Sequence, residues 1–313
     1  MPGETFAYGA TVLLLTNLAN RALAFLYRLL MVRLLGAEGV GLYEMVFPVY
    51  SLVLVVTTAG LPLALAKLTA ERTATGDWAQ ARRFFFLAAT VLFLSGLFSA
   101  FFLWHLTPVL AGRVLADPRV DKALRLTVPA LLVVPACSAF RGLFQGVKRL
   151  SRPAFSQLAE QVVRVTAGLY LAWRFLPRGL DHAAAGLVAG MVAGETAGFL
   201  YLLHAYWRER PLGPGGGRRP SLGLVASWRE LWRLGFPVTV ARIVAAVVLT
   251  LEAVLIPQRL QAAGYSLRQA TDLYGQFAGI ALTLVHLPTV LTISLAAAMV
   301  PAVAEATARS QSR

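Results

Sequence analysis

Residues 84–112 read FFFLAATVLFLSGLFSAFFLWHLTPVLAG, without one Asp, Glu, Lys or Arg. A helix that crosses a bilayer needs about 20 predominantly apolar residues, because the hydrocarbon core is ~30 Å thick. This stretch exceeds that length. Working outward from it, seven more segments of comparable character appear, so that eight run roughly over 6–32, 42–69, 84–108, 123–147, 154–176, 183–207, 233–257 and 271–304. The last carries no charge from Leu273 to Ala304. As a straight helix that run would be about 48 Å long at 1.5 Å per residue. It is expected to kink at Pro288 or to lie partly in the interface.

Composition agrees. Of 313 residues, 58% are hydrophobic and 14% charged, and the mean hydropathy is +0.66. A soluble domain averages about 45–50% apolar and ~25% charged residues. A secreted disulfide scaffold, a disordered chain and an ordinary cytosolic enzyme are all excluded, and the reading is an all-α polytopic membrane protein. The single cysteine, Cys137, allows no intrachain disulfide. The net charge of +14 would point to nucleic acid in a soluble protein. Here the basic residues sit in short loops between apolar runs, where topology explains them, and no nucleic-acid partner is expected. The first segment is not read as a signal peptide, since no basic residue precedes it and Arg21 and Arg28 lie inside it.

Loop charge gives an orientation. With eight spans and a cytoplasmic N-terminus, 15 Lys and Arg fall in cytoplasmic loops and 9 in the opposite ones. The bias favours a cell-membrane protein with both termini cytoplasmic. The only linker is 208–229, with Pro211, Gly213-Pro214-Gly215-Gly216-Gly217 and Arg218-Arg219-Pro220. Gly and Pro oppose regular structure, and arginines hold the segment at an anionic leaflet. It separates a six-helix lobe, 1–207, from a partial second lobe of two spans, 230–313. The second part repeats some of the first: Leu42-Tyr43, Pro48 and Pro62 correspond to Leu273-Tyr274, Pro288 and Pro301. Internal repeats are a common construction of transporters.

Enzyme motifs are absent. Gly36-Ala37-Glu38-Gly39-Val40-Gly41 lacks the order and strand context of a dinucleotide fingerprint and reads as a tight loop between the first two spans. The histidines, His105, His182, His204 and His286, show no metal-ligand spacing. No metal and no cofactor is expected.

Ionisable groups inside the spans carry more information, because burying a charge at the bilayer centre costs at least ~2.5–3.5 kcal/mol. Arg21 and Arg28 are seven apart and share one helical face with Asn17 and Asn20 nearby. Arg141 lies one turn before Gln145, and Arg242 and Glu252 share the seventh span. These eight residues are the candidate substrate-binding groups. Arg offers a planar fork matched to phosphate oxygens. Glu160 and Arg164 are four apart and are read as a structural ion pair. Gly186, Gly190, Gly194 and Gly198 line one face of the sixth span and are read as a helix-packing groove. Pro48, Pro62, Pro129 and Pro135 should bend their spans; the sequence does not decide whether those bends are hinges.

Three blocks carry a family resemblance. The first is Arg33-Leu34-Leu35-Gly36-Ala37-Glu38-Gly39-Val40-Gly41-Leu42-Tyr43 with Pro48 and Gly60-Leu61-Pro62-Leu63-Ala64-Leu65-Ala66-Lys67. The second is Arg141-Gly142-Leu143-Phe144-Gln145-Gly146, Pro153-Ala154-Phe155-Ser156-Gln157 and Glu160-Gln161-Val162-Val163-Arg164-Val165. The third runs from Pro257-Gln258-Arg259-Leu260 through Leu273-Tyr274-Gly275 to Val300-Pro301-Ala302-Val303-Ala304-Glu305. In these blocks the chain resembles the stage V sporulation protein B group of polysaccharide-biosynthesis membrane proteins, relatives of the MurJ lipid II flippases, Wzx flippases and MATE drug exporters. The resemblance implies two lobes of six or more helices around a central cavity. It also implies alternating-access translocation of an undecaprenyl-linked sugar precursor for cell-wall or spore-cortex synthesis. Arginines of the first helix would hold the diphosphate, a role that falls on Arg21 and Arg28. Against that pattern the chain stops after its eighth span, which implies a missing C-terminal half or a partner chain. The runner-up is a cation-coupled multidrug exporter, which would favour acidic groups in the cavity; five intramembrane arginines stand against four acids here. An inactive fragment or a structural membrane partner is the remaining reading.

Overall fold

A computed structural model describes residues 6–212 and 220–285. Every regular element among them is helical. They are α1 (Phe6–Thr58), α2 (Leu61–Ala74), α3 (Trp78–Val109), α4 (Asp121–Leu126), α5 (Ala130–Gly146), α6 (Ser151–Phe175), α7 (Leu180–Glu209), α8 (Leu224–Ala262) and α9 (Leu267–Tyr274). Two π-helical turns, Leu110–Val114 and Gly275–Ala281, extend α3 and α9.

Four stretches are long and apolar enough to cross a membrane: Thr11–Ala74, Trp78–Val114, Leu180–Glu209 and Leu224–Ala262. A fifth is added if Pro118–Leu126 and Ala130–Gly146, bent by 41°, count as one span. The protein is a multi-pass membrane protein. The count differs from the eight expected segments for identifiable reasons. The first two expected segments lie on the single element α1, continued by α2. α6 holds Arg152, Glu160, Arg164 and Arg174 and is too polar to qualify by hydropathy alone. Most of the eighth segment, with Pro288 and Pro301, lies outside the described residues. In the expected linker, 213–219 also lies outside them, and helix resumes at Leu224, before 229.

α1 is one helix only in name. Gly36 interrupts it with φ 66 and ψ −178, a conformation that carries a steric cost for every residue with a Cβ. Nothing lies within 4 Å of the position a Cβ would take there, so glycine is required by conformation rather than by space. The expected tight loop is therefore a one-residue break that turns the second half of α1 back along the first. A second break, at Ala59 (φ 46) and Gly60 (φ 62), separates α1 from α2. α3 begins at Asp77, whose side chain accepts a hydrogen bond from the Gln80 amide at 3.0 Å, the usual satisfaction of a free N-terminal donor.

The core runs along α1 through Met31, Val40, Met45 and Tyr50, and continues through Leu124, Leu131, Leu187 and Met191. α3 turns Phe86, Phe93, Phe98, Phe101, Phe102 and Trp104 outward. In water such a face would be an aggregation site; against acyl chains it is the ordinary surface of a membrane helix. α6 and α7 make the most extensive helix contact. It follows from the glycine stripe of α7. A Cβ on Gly190 would stand 2.2 Å from the Gly168 Cα, one on Gly194 2.5 Å from the Glu160 carbonyl oxygen, and one on Gly198 3.0 Å from the Ser156 carbonyl oxygen. Small residues here let two backbones touch.

α8 and α9 pack on α1 and α2. At the end of the bundle nearer the linker, Arg72 meets Glu230 at 3.2 Å and Gln80 Nε2 donates to Ser227 Oγ at 2.8 Å. At the other end, Thr271 Oγ1 donates to the buried Asp117 at 3.0 Å, Arg119 pairs with Glu38 at 2.5 Å, and Gln258 Nε2 donates to the Val114 carbonyl at 2.6 Å.

Candidate functional site

The α6–α7 contact carries a charged group into the interior. Glu160 on α6 accepts from Arg164 one turn later at 2.5 Å and from Arg141 of α5 at 2.6 Å. Arg164 also reaches Glu195 of α7 at 3.8 Å. The Tyr50 hydroxyl, on the second half of α1, lies 3.1 Å from both Glu195 oxygens and donates to that carboxylate. Four helices thus supply two guanidiniums, two carboxylates and a phenol that compensate one another. Compensation is what allows charge at membrane depth, and each carboxylate is bridged rather than left single.

A second pair lies on α1 itself. Arg28 contacts Glu44 across the Gly36 break and donates to Thr283 Oγ1 at 2.6 Å. Thr283 follows α9, so Arg28 ties the first half of α1 to the segment after α9.

The candidate residues separate on this geometry. Arg28 and Arg141 enter the charged groups, and Arg141 adds a contact to Ser156 Oγ at 3.4 Å. Arg21 is half-buried and makes no ion pair with any described residue. On the same helix the Asn20 Oδ1 is buried without a partner, and Asn17 is exposed. The structure does not bring Gln145 or Arg242 into the cluster. Both are exposed, Gln145 in the last turn of α5 and Arg242 on α8. Glu252 is half-buried on α8 with no ion pair among the described residues. Glu44, Glu195 and Tyr50 stand outside the candidate set, although Glu44 holds Arg28, Glu195 reaches Arg164 and Tyr50 donates to Glu195. One signal was present: Arg28 and Glu44 lie equally far on either side of Gly36, so a tight reversal at that glycine brings them together.

A model of the polysaccharide biosynthesis protein family matches residues 6–307. The chain is 34% identical over 310 residues to stage V sporulation protein B of Bacillus subtilis (strain 168), covering 97% of this chain and 59% of that protein. It is 26% identical to sporulation protein YkvU of the same organism, covering 98% and 67%. It is 27% identical to lipid II flippase MurJ of that organism over 245 residues, covering 73% and 45%. The chain therefore spans roughly half to two thirds of the length of these curated relatives. Among solved structures, an inward-facing multidrug resistance MATE family transporter of the MOP superfamily superposes with a TM-score of 0.58 at 15% identity, over 84% of this chain and 56% of that one. At that identity the likeness is one of fold. With residues 6–307 matched and 34% identity along almost its whole length, the chain belongs to the polysaccharide biosynthesis protein family.

Proposed function

We propose that the protein is the substrate-binding lobe of a flippase for a polyprenyl-diphosphate-linked sugar, such as a peptidoglycan or polysaccharide precursor. The observation that carries this reading is the state of the two arginines of α1. Arg28 is compensated by Glu44 and sits at the seam with the segment after α9, whereas Arg21, seven residues earlier, has no carboxylate among the described residues. An uncompensated guanidinium on an apolar helix is costly unless an anion meets it, and a diphosphate fits its planar fork. The relatives support the substrate class: one is named a lipid II flippase, and two are named for sporulation.

Translocation by alternating access needs one end of the seam to open while the other stays closed. The contacts of Arg72 with Glu230, and of Thr271 with Asp117, are the two sets that would exchange. The helices opposing this lobe across the path would come from residues beyond these 313 or from a partner chain. The orientation places the linker end and both termini in the cytoplasm, by loop charge. Drug export draws support from the fold neighbour alone.

The test is binding. The purified chain in nanodiscs is titrated with a fluorescent polyprenyl-diphosphate sugar and with the matching monophosphate. The expected result is tighter binding of the diphosphate, and at least tenfold loss in Arg21→Gln with unchanged thermal stability. Equal binding by Arg21→Gln would remove Arg21 from the site.

A further inference from the structure

The end of the bundle away from the linker holds a cavity of about 510 Å³ that the charged groups above do not use. It lies between α4, the start of α5, the 3-10 turn Leu176–Arg178 and the N-terminal turns of α7, with Trp104 of α3 at its edge. Its floor is apolar, with Val128, Ala185 and Ala189 buried or half-buried and the exposed Leu126 and Pro129 beside them. Its rim is basic: Lys122, Arg125, Arg178 and His182. Two of these cations are held by rings. The Arg125 guanidinium stands 5.1 Å from the centroid of Trp104, and that of Arg178 5.5 Å from Phe175.

The charge is only partly answered. Lys122 meets Asp181 at 2.9 Å and His182 at 3.0 Å, and Arg125 meets Asp121 at 2.8 Å. Arg178 has no carboxylate partner among the described residues and is exposed. Three permanent cations thus face two carboxylates around an apolar hollow. Trp beside Arg marks the depth at which a helix leaves the hydrocarbon for the headgroup layer. The arrangement also accounts for an oddity of the loop charges, since Lys122, Arg125 and Arg178 are a third of the nine basic residues on the less basic side of the chain.

We propose that this cavity binds the phosphate headgroup of an anionic bilayer phospholipid, with Arg178, Arg125 and Lys122 around the phosphate and an acyl chain along the Leu126–Ala189 floor. The volume lies within the ~300–1,000 Å³ typical of small-molecule sites. An apolar floor beneath a basic rim fits an amphiphile, and it does not fit a free inorganic anion, for which the floor offers nothing. A lipid held here would bridge α4, the end of α6 and the start of α7, on the outside of the same lobe whose interior holds the Glu160 cluster. The site is independent of the substrate reading, so either can fail without the other.

The purified chain in neutral detergent is titrated with phosphatidylglycerol and with phosphatidylcholine of identical tails, and native mass spectrometry counts the lipids retained. Phosphatidylglycerol should be retained at least tenfold more tightly. Arg178→Gln, and Arg125→Gln with Arg178→Gln, should lose that preference stepwise, while Arg174→Gln, on the same helix end but off the rim, should keep it. Ala189→Trp, which fills the floor and leaves the cations, should lose retention with the thermal transition unchanged. Equal retention of the two lipids, full retention in the double variant, or displacement by millimolar inorganic phosphate would each overturn the proposal.

Discussion

Arg28 and Glu44 touch although they belong to the same helical element and are sixteen positions apart. Along an unbroken helix that separation would be about 24 Å. The contact exists because Gly36 takes a left-handed φ of 66 and reverses the chain. A backbone conformation available at little cost only to glycine therefore fixes a salt bridge that joins the two halves of α1.

That dependence is open to measurement at Gly36 itself. Gly36→Ala should destabilise the protein by about 1–3 kcal/mol, the cost of holding a residue with a Cβ in a backbone region essentially reserved for glycine, since the space for the methyl is open. Gly36→Asn should cost about as much, because the tolerance of Asn for positive φ is confined to the αL well near ψ +47°, whereas Gly36 has ψ −178, a region essentially reserved for glycine. Thermal unfolding in detergent gives both values, and a transition unmoved by either change would mean that the conformation at Gly36 is not limiting.

Glu44→Gln should leave Arg28 without its counter-charge. Breaking a buried pair costs up to about 3–5 kcal/mol, and the partial exposure of Arg28 reduces this toward ~1–3 kcal/mol. The double variant Arg28→Gln with Glu44→Gln should recover part of the loss. Strict additivity of the two single changes would show that the pair has no coupling.

Part of this architecture was legible in the sequence. Uncharged runs marked the spans, and Glu160 with Arg164 was legible because helical spacing alone puts residues four apart on one face. The rest depended on how helices meet. Nothing local to Arg141 tells that α5 delivers it to Glu160, and nothing near Glu195 announces Tyr50 145 positions away. Gln145 and Arg242 stand out by their chemistry inside apolar runs, but the sequence does not say which face a helix turns to its neighbours; both are exposed and join neither charged group. α6 shows the converse: its hydropathy is that of a poor span, yet its Glu160 and Arg164 are met by Arg141 of α5 and Glu195 of α7.

The glycine stripe and the charged cluster should fail together. Gly194→Ala places a methyl 2.5 Å from the Glu160 carbonyl oxygen, which α6 can relieve only by moving away and loosening the Glu160–Arg164–Glu195 contacts. A loss of about 1–3 kcal/mol is expected, the usual cost of overpacking. Gly112→Ala, where nothing lies within 4 Å, is the control and should leave the transition unmoved. Arg164→Ala removes the guanidinium that two carboxylates share and should cost several kcal/mol. If Arg164→Ala kept full stability but lost substrate binding, its role would be in the site rather than in the frame.

The orientation can be tested because the chain has one cysteine and that residue is buried. In a Cys137→Ser background, single cysteines are placed at Gly76, in the turn between α2 and α3, and at Gly112, in the π-helical turn after α3. The two glycines lie at opposite ends of α3, and a Cβ would meet nothing within 4 Å at either. Gly76 carries a positive φ of 76, so Thr75→Cys serves as a second reporter of the same turn. The loop-charge bias puts residues 75–76 in the cytoplasm and Gly112 outside. A membrane-impermeant maleimide added to intact cells should label Gly112→Cys and leave the other two unlabelled until the membrane is broken. The opposite pattern would invert the protein, turning the Arg72–Glu230 contact outward and the basic cavity at Arg178 toward the cytoplasmic leaflet. The nine basic residues would then face the cytoplasm and the fifteen the outside, a reversal that loop charge strongly disfavours.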